Sequence, residues 1–374
     1  MKKQKIQSNR LQSLTQTGFS LIELMVGLVI GLLTTLVIMQ VFSVFEGQKR
    51  STTGTADAQT SGSVALFSLQ RDIQLAGFGL PLIDTQNQPL SCTTSSFTLP
   101  ATTTPTLPAV SVNLTPITIT DGGTTAGASD VITVRYGTSS SAGVPTNVIA
   151  PAGTLTSISA MTNIGCKCTV PDTSDVTGKT CQDGDIVFVV RGNDCKATRL
   201  RGWDGDGEVK VLPAVDVTVG DTPGESSQLS CVGRWNQVAY QMASSPTYSL
   251  NKNGTPIVDG IVNIQAQYGI SASPNANQIA SWVNATGNWA TPGNSSATCN
   301  ATNANINCIK AVRVAVVARN GLYEKEVVTS AAPTSWAGGP TINLTNITDW
   351  DHYRYKVYES VIPLRNIVWA REQL

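Results

Sequence analysis

Thr17-Gly18-Phe19-Ser20-Leu21-Ile22-Glu23-Leu24-Met25-Val26 joins a basic leader to a long apolar run. From Leu24 to Phe45 there are 22 residues without a charge. As a helix rising 1.5 Å per residue this run is about 33 Å long, enough to cross the roughly 30 Å hydrocarbon layer of a membrane. Lys2, Lys3, Lys5 and Arg10 precede it with no acid among them, and basic flanks stay on the cytoplasmic side. The chain after about residue 46 is then expected outside. A secretory signal would have a shorter apolar core and a small-residue cleavage site, whereas this run ends in Gln40-Val-Phe-Ser-Val-Phe-Glu46. An uncleaved signal anchor fits the length better, yet neither reading explains Glu23. A carboxylate just inside an apolar span is costly in lipid and calls for a partner.

These residues strongly resemble the class III signal of type IV prepilins: a basic leader ending in Gly, then Phe, then an apolar helix with Glu as its fifth residue. The resemblance implies that a prepilin peptidase cuts between Gly18 and Phe19 and that the new amino group of Phe19 is methylated. It implies for Glu23 a role in assembly, meeting the α-amino group of a neighbouring subunit as the helix leaves the bilayer. Gly27, Gly31, Thr34 and Thr35 offer small surfaces for helix packing, a supporting feature only.

Beyond the apolar run, Ser51 to Ser63 is polar and poor in helix formers, which predicts a helix interrupted near Gly54 to Gly62. Val64, Leu66, Phe67, Leu69, Ile73 and Ala76 restore helical spacing, and Gly77, Gly79 and Pro81 end it. The expected division is a cleaved leader over 1–18, a pilin helix over 19–80 with its membrane part at about 21–45, and a globular domain over 81–374. After Pro81 the chain turns to Thr, Ser, Gly, Asn and Pro with short β-branched runs, the pattern of a β-rich extracellular domain, so the fold class is α+β. Strands are expected at 131–136, 186–190, 311–319 and 353–357. In the third, Val312, Val314 and Val316 alternate with Arg313 and Arg319. The polar stretches 84–128 and 271–307 read as large surface insertions that carry variable contacts.

Four blocks, Ala65 to Gly79, Ile257 to Gly269, Val312 to Arg319 and Tyr355 to Asn366, resemble the order found in PilW minor pilins, relatives of the J-type pseudopilins of type II secretion. That likeness, running from residue 17 to about 366, implies a priming complex with other minor pilins, contact with the major pilin and association with a PilY-type adhesin. It implies an inner-membrane start, with the amino terminus cytoplasmic and the remainder periplasmic, before delivery to the cell surface. A J-like pseudopilin shares the same features, and a membrane-anchored adhesin or binding module is a reading of another class.

The bulk numbers agree with an exported structural protein. Basic and acidic residues balance at 25 each, so no global field points to nucleic acid. Removing residues 1–18 takes away four bases and no acid, leaving 21 against 25 and a formal charge of −4. Cys92, Cys166, Cys168, Cys181, Cys195, Cys231, Cys299 and Cys308 all follow the apolar run, which suits disulfides in an oxidising compartment; their pairing is open. Cys166-Lys167-Cys168 is too tightly spaced for ordinary zinc sites, and His352 is the single histidine. No acid–base constellation or serine elbow points to an enzyme, and no cofactor is expected. Trp203 to Glu208 resembles a calcium loop through Asp204, Asp206 and Glu208, but an acidic turn is the stronger reading because the spaced ligands of an EF-hand are missing.

Overall fold

The computed structural model describes residues 18–83, 91–103, 106–139, 143–150, 153–160, 184–192, 194–204, 208–217, 227–243, 248–337, 339 and 342–370. The architecture is α+β, a long N-terminal apolar helix followed by a β-rich globular part. The chain divides into two compact units, Met1–Gly54 and Thr55–Leu374.

The helix runs unbroken from Leu21 to Gln74, so the interruption expected near Gly54 to Gly62 is corrected. The hydroxyls in that polar stretch bond back along the helix, Thr52 to the Gln48 carbonyl at 2.9 Å and Thr60 to the Ala56 carbonyl at 3.1 Å. Tertiary packing outweighs the weak propensity. In the second unit Ala58, Ala65, Leu69, Ile73 and Ala76 are buried at helical spacing, and Gly62 stands in the same row. A Cβ on Gly62 would lie 2.2 Å from the Tyr358 ring, so glycine is there for close approach to a strand and not to stop the helix. Past Gln74 the chain turns at Gly77, whose φ of 78° suits glycine and whose N–H reaches the Arg135 carbonyl at 2.9 Å.

Two antiparallel sheets receive that helical face. One has the order Ser281–Val283, Ile261–Ile270, Ile309–Arg319, Tyr355–Pro363; the other runs Thr255–Asp259, Ser249–Lys252, Asn236–Ala243, Val131–Tyr136, Ile117–Thr120. Tyr268 ties them together by accepting the Ile119 N–H at 2.6 Å, and burial pushes its hydroxyl pKa up to about 12. Asp130 adds a second tie. Its two oxygens accept the N–H groups of Gly122 at 2.9 Å and Ala266 at 2.7 Å, while burial raises its pKa to about 6. Between Val131–Tyr136 and Asn236–Ala243 the chain builds a closed six-stranded barrel, with the order Gly153–Ala160, Glu208–Val217, Asp194–Asp204, Ile186–Arg191, Gln228–Gly233, Pro145–Ala150.

Three other expectations change. The described part of 84–128 is no surface excursion: Cys92, Leu99, Val112, Leu114, Ile117 and Ile119 are buried, and Phe97 meets Phe188 edge-on at 5.3 Å. Stretch 271–307 is largely exposed as expected, but buried Trp289 and Ile306 pin it, and the Trp289 Nε1–H donates to the Asn300 carbonyl at 2.9 Å. Strand 309–319 is buried on both faces instead of alternating with solvent. Ile342, Leu344 and Ile347 cover Val317, and the arginines lie against aromatic rings. Arg313 sits 4.9 Å from the Trp282 ring and 4.2 Å from Trp336; Arg319 lies 4.7 Å from Tyr248 and 4.4 Å from Tyr353. The last strand begins at Tyr355 and reaches Pro363, later and longer than the alternation at 353–357 indicated.

One charged residue on the buried helical face fixes the helix to the five-stranded sheet. Asp72 has a side chain 1% exposed, and its Oδ2 accepts the Lys252 ammonium at 2.5 Å and the Tyr240 hydroxyl at 2.7 Å. Desolvation and the neighbouring carboxylate push the Tyr240 hydroxyl above its ordinary pKa, so it remains a donor.

Two outcomes are expected from denaturant unfolding of the full chain in detergent. Gly62→Ala destabilises by about 1–3 kcal/mol although alanine is the better helix former, and Tyr358→Ala in the same chain reverses the effect. Asp72→Ala, which leaves Lys252 without its carboxylate and Tyr240 with the Ser68 carbonyl at 3.1 Å, costs about 2–4 kcal/mol because Lys252 keeps partial access to water, and adding Lys252→Met recovers part of the loss.

Candidate functional site

The apolar half of the helix is the feature with functional content. From Leu21 to Phe45 its large side chains are exposed on every side of the helix, and an 18-residue window reaches a mean hydropathy of 2.5 with none of it buried. A helix apolar all round is matched to an apolar surrounding, whether lipid or other helices. Two of its hydroxyls are satisfied within the helix: those of Thr34 and Thr35 donate to the carbonyls of Ile30 and Gly31, both at 2.8 Å. Beyond Phe45, Glu46 and Arg50 pair across one turn at 3.7 Å with both side chains well exposed, marking the return to a polar surface. This helix fits membrane anchoring.

Gly18 and Phe19 precede the helix and are exposed, with the Phe19 side chain projecting almost fully. Glu23 lies in the first turn, the one acidic residue there, where a carboxylate complements the positive end of the helix dipole. The basic residues of the leader lie outside the described residues.

The cysteines divide into settled and unplaced. Cys92 pairs with Cys195, tying the segment after the helix to the barrel across 103 residues, and Cys299 pairs with Cys308 around a short loop. Cys231 is buried and disulfide-bonded. Cys166, Cys168 and Cys181 lie outside the described residues, as does Asp206. Asp204 and Glu208 are backbone partners at the end of the ladder between the barrel strands Asp194–Asp204 and Glu208–Val217. Among the described residues no group of three or more His, Cys, Asp or Glu is arranged to hold a metal.

His352 is committed to structure. Its Nδ1 lies 2.7 Å from the Glu324 carbonyl, which can only accept, so the proton sits on Nδ1, and its ring stacks on Tyr323 at 5.0 Å. A polar hollow lined by Asp121, Thr124, Asp130, Gln265, Asn284 and Trp336 lies beside the four-stranded sheet. Asp130 spends both oxygens on backbone N–H groups there, so it acts as a clamp between strands.

Sequence reasoning assigned no role to Asp72, although it lies inside the Ala65 to Gly79 block. A lone acid within the apolar row Leu69, Ile73, Ala76 is the signal that could have found it, because such a charge needs a buried partner. Its partners, Tyr240 and Lys252, are 168 and 180 residues away and carried no signal of their own.

Neither the curated proteins nor the solved structures contain a significant match to the chain. The family model described as Type IV Pilus-assembly protein W matches residues 221–366, which hold the last barrel strand, three strands of the five-stranded sheet, the whole four-stranded sheet and the start of the short C-terminal helix. The matched region holds the strands Asn236–Ala243 and Ser249–Lys252 that grip Asp72, and Tyr355–Pro363, which meets Gly62. This is a family of pilus-assembly components and not a known enzyme family. That match, over 146 of the 374 residues, supports a PilW family assignment and a role in type IV pilus assembly.

Proposed function

We propose that the chain is a minor pilin, cut by prepilin peptidase between Gly18 and Phe19, methylated on the new amino group, and assembled with other minor pilins into the complex that primes a type IV pilus. The observation that carries this reading is the uncharged helix from Leu24 to Phe45, exposed on all sides, entered through Gly18-Phe19 and carrying one acid, Glu23, in its first turn. Before assembly, lipid satisfies that surface, with the amino terminus cytoplasmic and the globular part periplasmic. After assembly, neighbouring helices replace the lipid. Glu23 is costly in hydrocarbon while alone, and pairing with the α-amino group of an adjacent subunit relieves that cost, which gives extraction a direction. The partners in this scheme are the other minor pilins, the major pilin and an adhesin of the PilY type.

The globular part would present the barrel and the disulfide-closed loop Cys299 to Cys308 to the outside, supporting adhesion or twitching motility. The disulfides Cys92–Cys195 and Cys299–Cys308 constrain the chain in those parts.

Intact mass and N-terminal sequencing from cells with and without prepilin peptidase test the processing step. The expected product begins at methylated Phe19 and disappears without the peptidase; a chain that keeps Met1 overturns the reading. Glu23→Ala should leave processing and membrane retention intact while lowering incorporation into pili about tenfold, equivalent to about 1.4 kcal/mol. Normal incorporation of this variant would remove the assembly role of Glu23.

A further inference from the structure

Tyr355–Pro363 is the outermost strand of the four-stranded sheet, nine residues long, and its pairing with Ile309–Arg319 runs from Ala311↔Pro363 to Arg319↔Tyr355 without a register shift. The phase of that ladder follows from its two ends. The Leu364 N–H donates to the Lys310 carbonyl at 2.9 Å, and the Asn320 N–H donates to the Arg354 carbonyl at 3.0 Å. In an antiparallel pair the bonded residues alternate, so Lys356, Tyr358, Ser360 and Ile362 face inward with their backbone groups. Val357, Glu359 and Val361 therefore turn N–H and C=O outward, and among the described residues none of these groups takes a partner.

Proteins blunt such edges with short strands, proline, lysine or bulges. Other edges here conform: Ser281–Val283 has three residues, Ile117–Thr120 has four, and Thr255–Asp259 contains Pro256. The outward row of Tyr355–Pro363 carries none of these devices before Pro363. Lys356 belongs to the inward row, on the other face, with its ammonium 5.6 Å from the Tyr358 ring. What the row presents is Val361, 55% exposed, the exposed Glu359 and the half-buried Val357.

We propose that this edge receives an extended strand from a different pilus subunit, with a basic residue opposite Glu359 between apolar residues opposite Val357 and Val361. The proposal rests on the reading of the chain as a pilus subunit. Strand addition supplies the backbone partners, and directly opposed side chains of a new antiparallel neighbour set the preference. Arg313, two residue pairs along the ladder, feels the Glu359 charge at longer range but is held by Gln267 and the rings of Trp282 and Trp336, and Glu359 makes no ion pair with it among the described residues. A second copy of this strand cannot supply the base, because its outward row is Val357, Glu359, Val361. Pairing Val357 with Val361 across two copies would set Glu359 against Glu359, which is unfavourable.

The test places a photoreactive benzophenone amino acid at position 361 of the full chain in cells that assemble pili. The expected result is a crosslink to another pilus subunit that falls about tenfold in Glu359→Pro and in Glu359→Lys, a loss of about 1.4 kcal/mol. The proline removes only an outward N–H, so the chain's own ladder keeps its bonds, and thermal melting should show a folded protein. If the proline variant does not fold, the charge reversal decides. Incorporation into pili with no crosslink from 361, a crosslink only to a second copy, or one that survives both substitutions overturns the proposal and leaves the pilin reading standing. A chain absent from pili altogether would instead sink the pilin reading.

Discussion

The globular structure depends on how one face of a helix is held against two sheets, and the strictest part of that constraint is the buried carboxylate of Asp72. A charge 1% exposed is tolerable only with its partners in place, and Lys252 and Tyr240 from two adjacent strands provide them. Apolar burial by Leu69 and Ile73 attracts the helix to the sheets without specifying a rotation or a register. The Asp72 contacts do specify them, because a slip of one residue along the helix would bury the carboxylate without a cation. About three turns closer to the amino terminus, the contact of Gly62 with the Tyr358 ring sets how near the helix can come.

That arrangement lets one helix serve two environments. Its second half is a component of a folded domain, with small residues and one acid facing the sheets. Its first half has no such face and is apolar all round, which commits it to lipid or to other helices. The change of character falls in the polar stretch after Glu46, where threonine hydroxyls bond to their own helix and ask nothing of the surroundings. In the proposed function this combination joins a folded domain to an anchor that exchanges one apolar surrounding for another.

The strand Ile309–Arg319 shows how the second side of a sheet is closed. Its valines on one face join the core beneath the helix, while the opposite face is covered by Ile342, Leu344 and Ile347 from the chain that loops back before Tyr355. Aromatic rings over Arg313 and Arg319 let charged residues sit in that second layer with their guanidinium faces covered. Coverage stops at the outer edge of Tyr355–Pro363. The sheet is thus finished on both faces but open along one side.

Properties set by neighbours in the sequence were determined by the sequence alone. The leader with Gly18-Phe19, the charge-free run and Glu23 are contiguous, so length, hydropathy and position sufficed to read an anchor and an α+β chain. The strands at 131–136 and 186–190, where β-branched residues cluster, were legible for the same reason. What depends on distant residues was decided only by the tertiary structure. Local propensity broke the helix at Gly54 to Gly62, and packing against Tyr358 keeps it whole. Polar composition sent 84–128 to the surface, and a few apolar residues, with Cys92 bonded to Cys195, bring its described part into the core. The barrel, the partners of Asp72 and the free edge of the last strand all arise from pairings between strands far apart in the chain, and no local pattern records which strand will lie beside which.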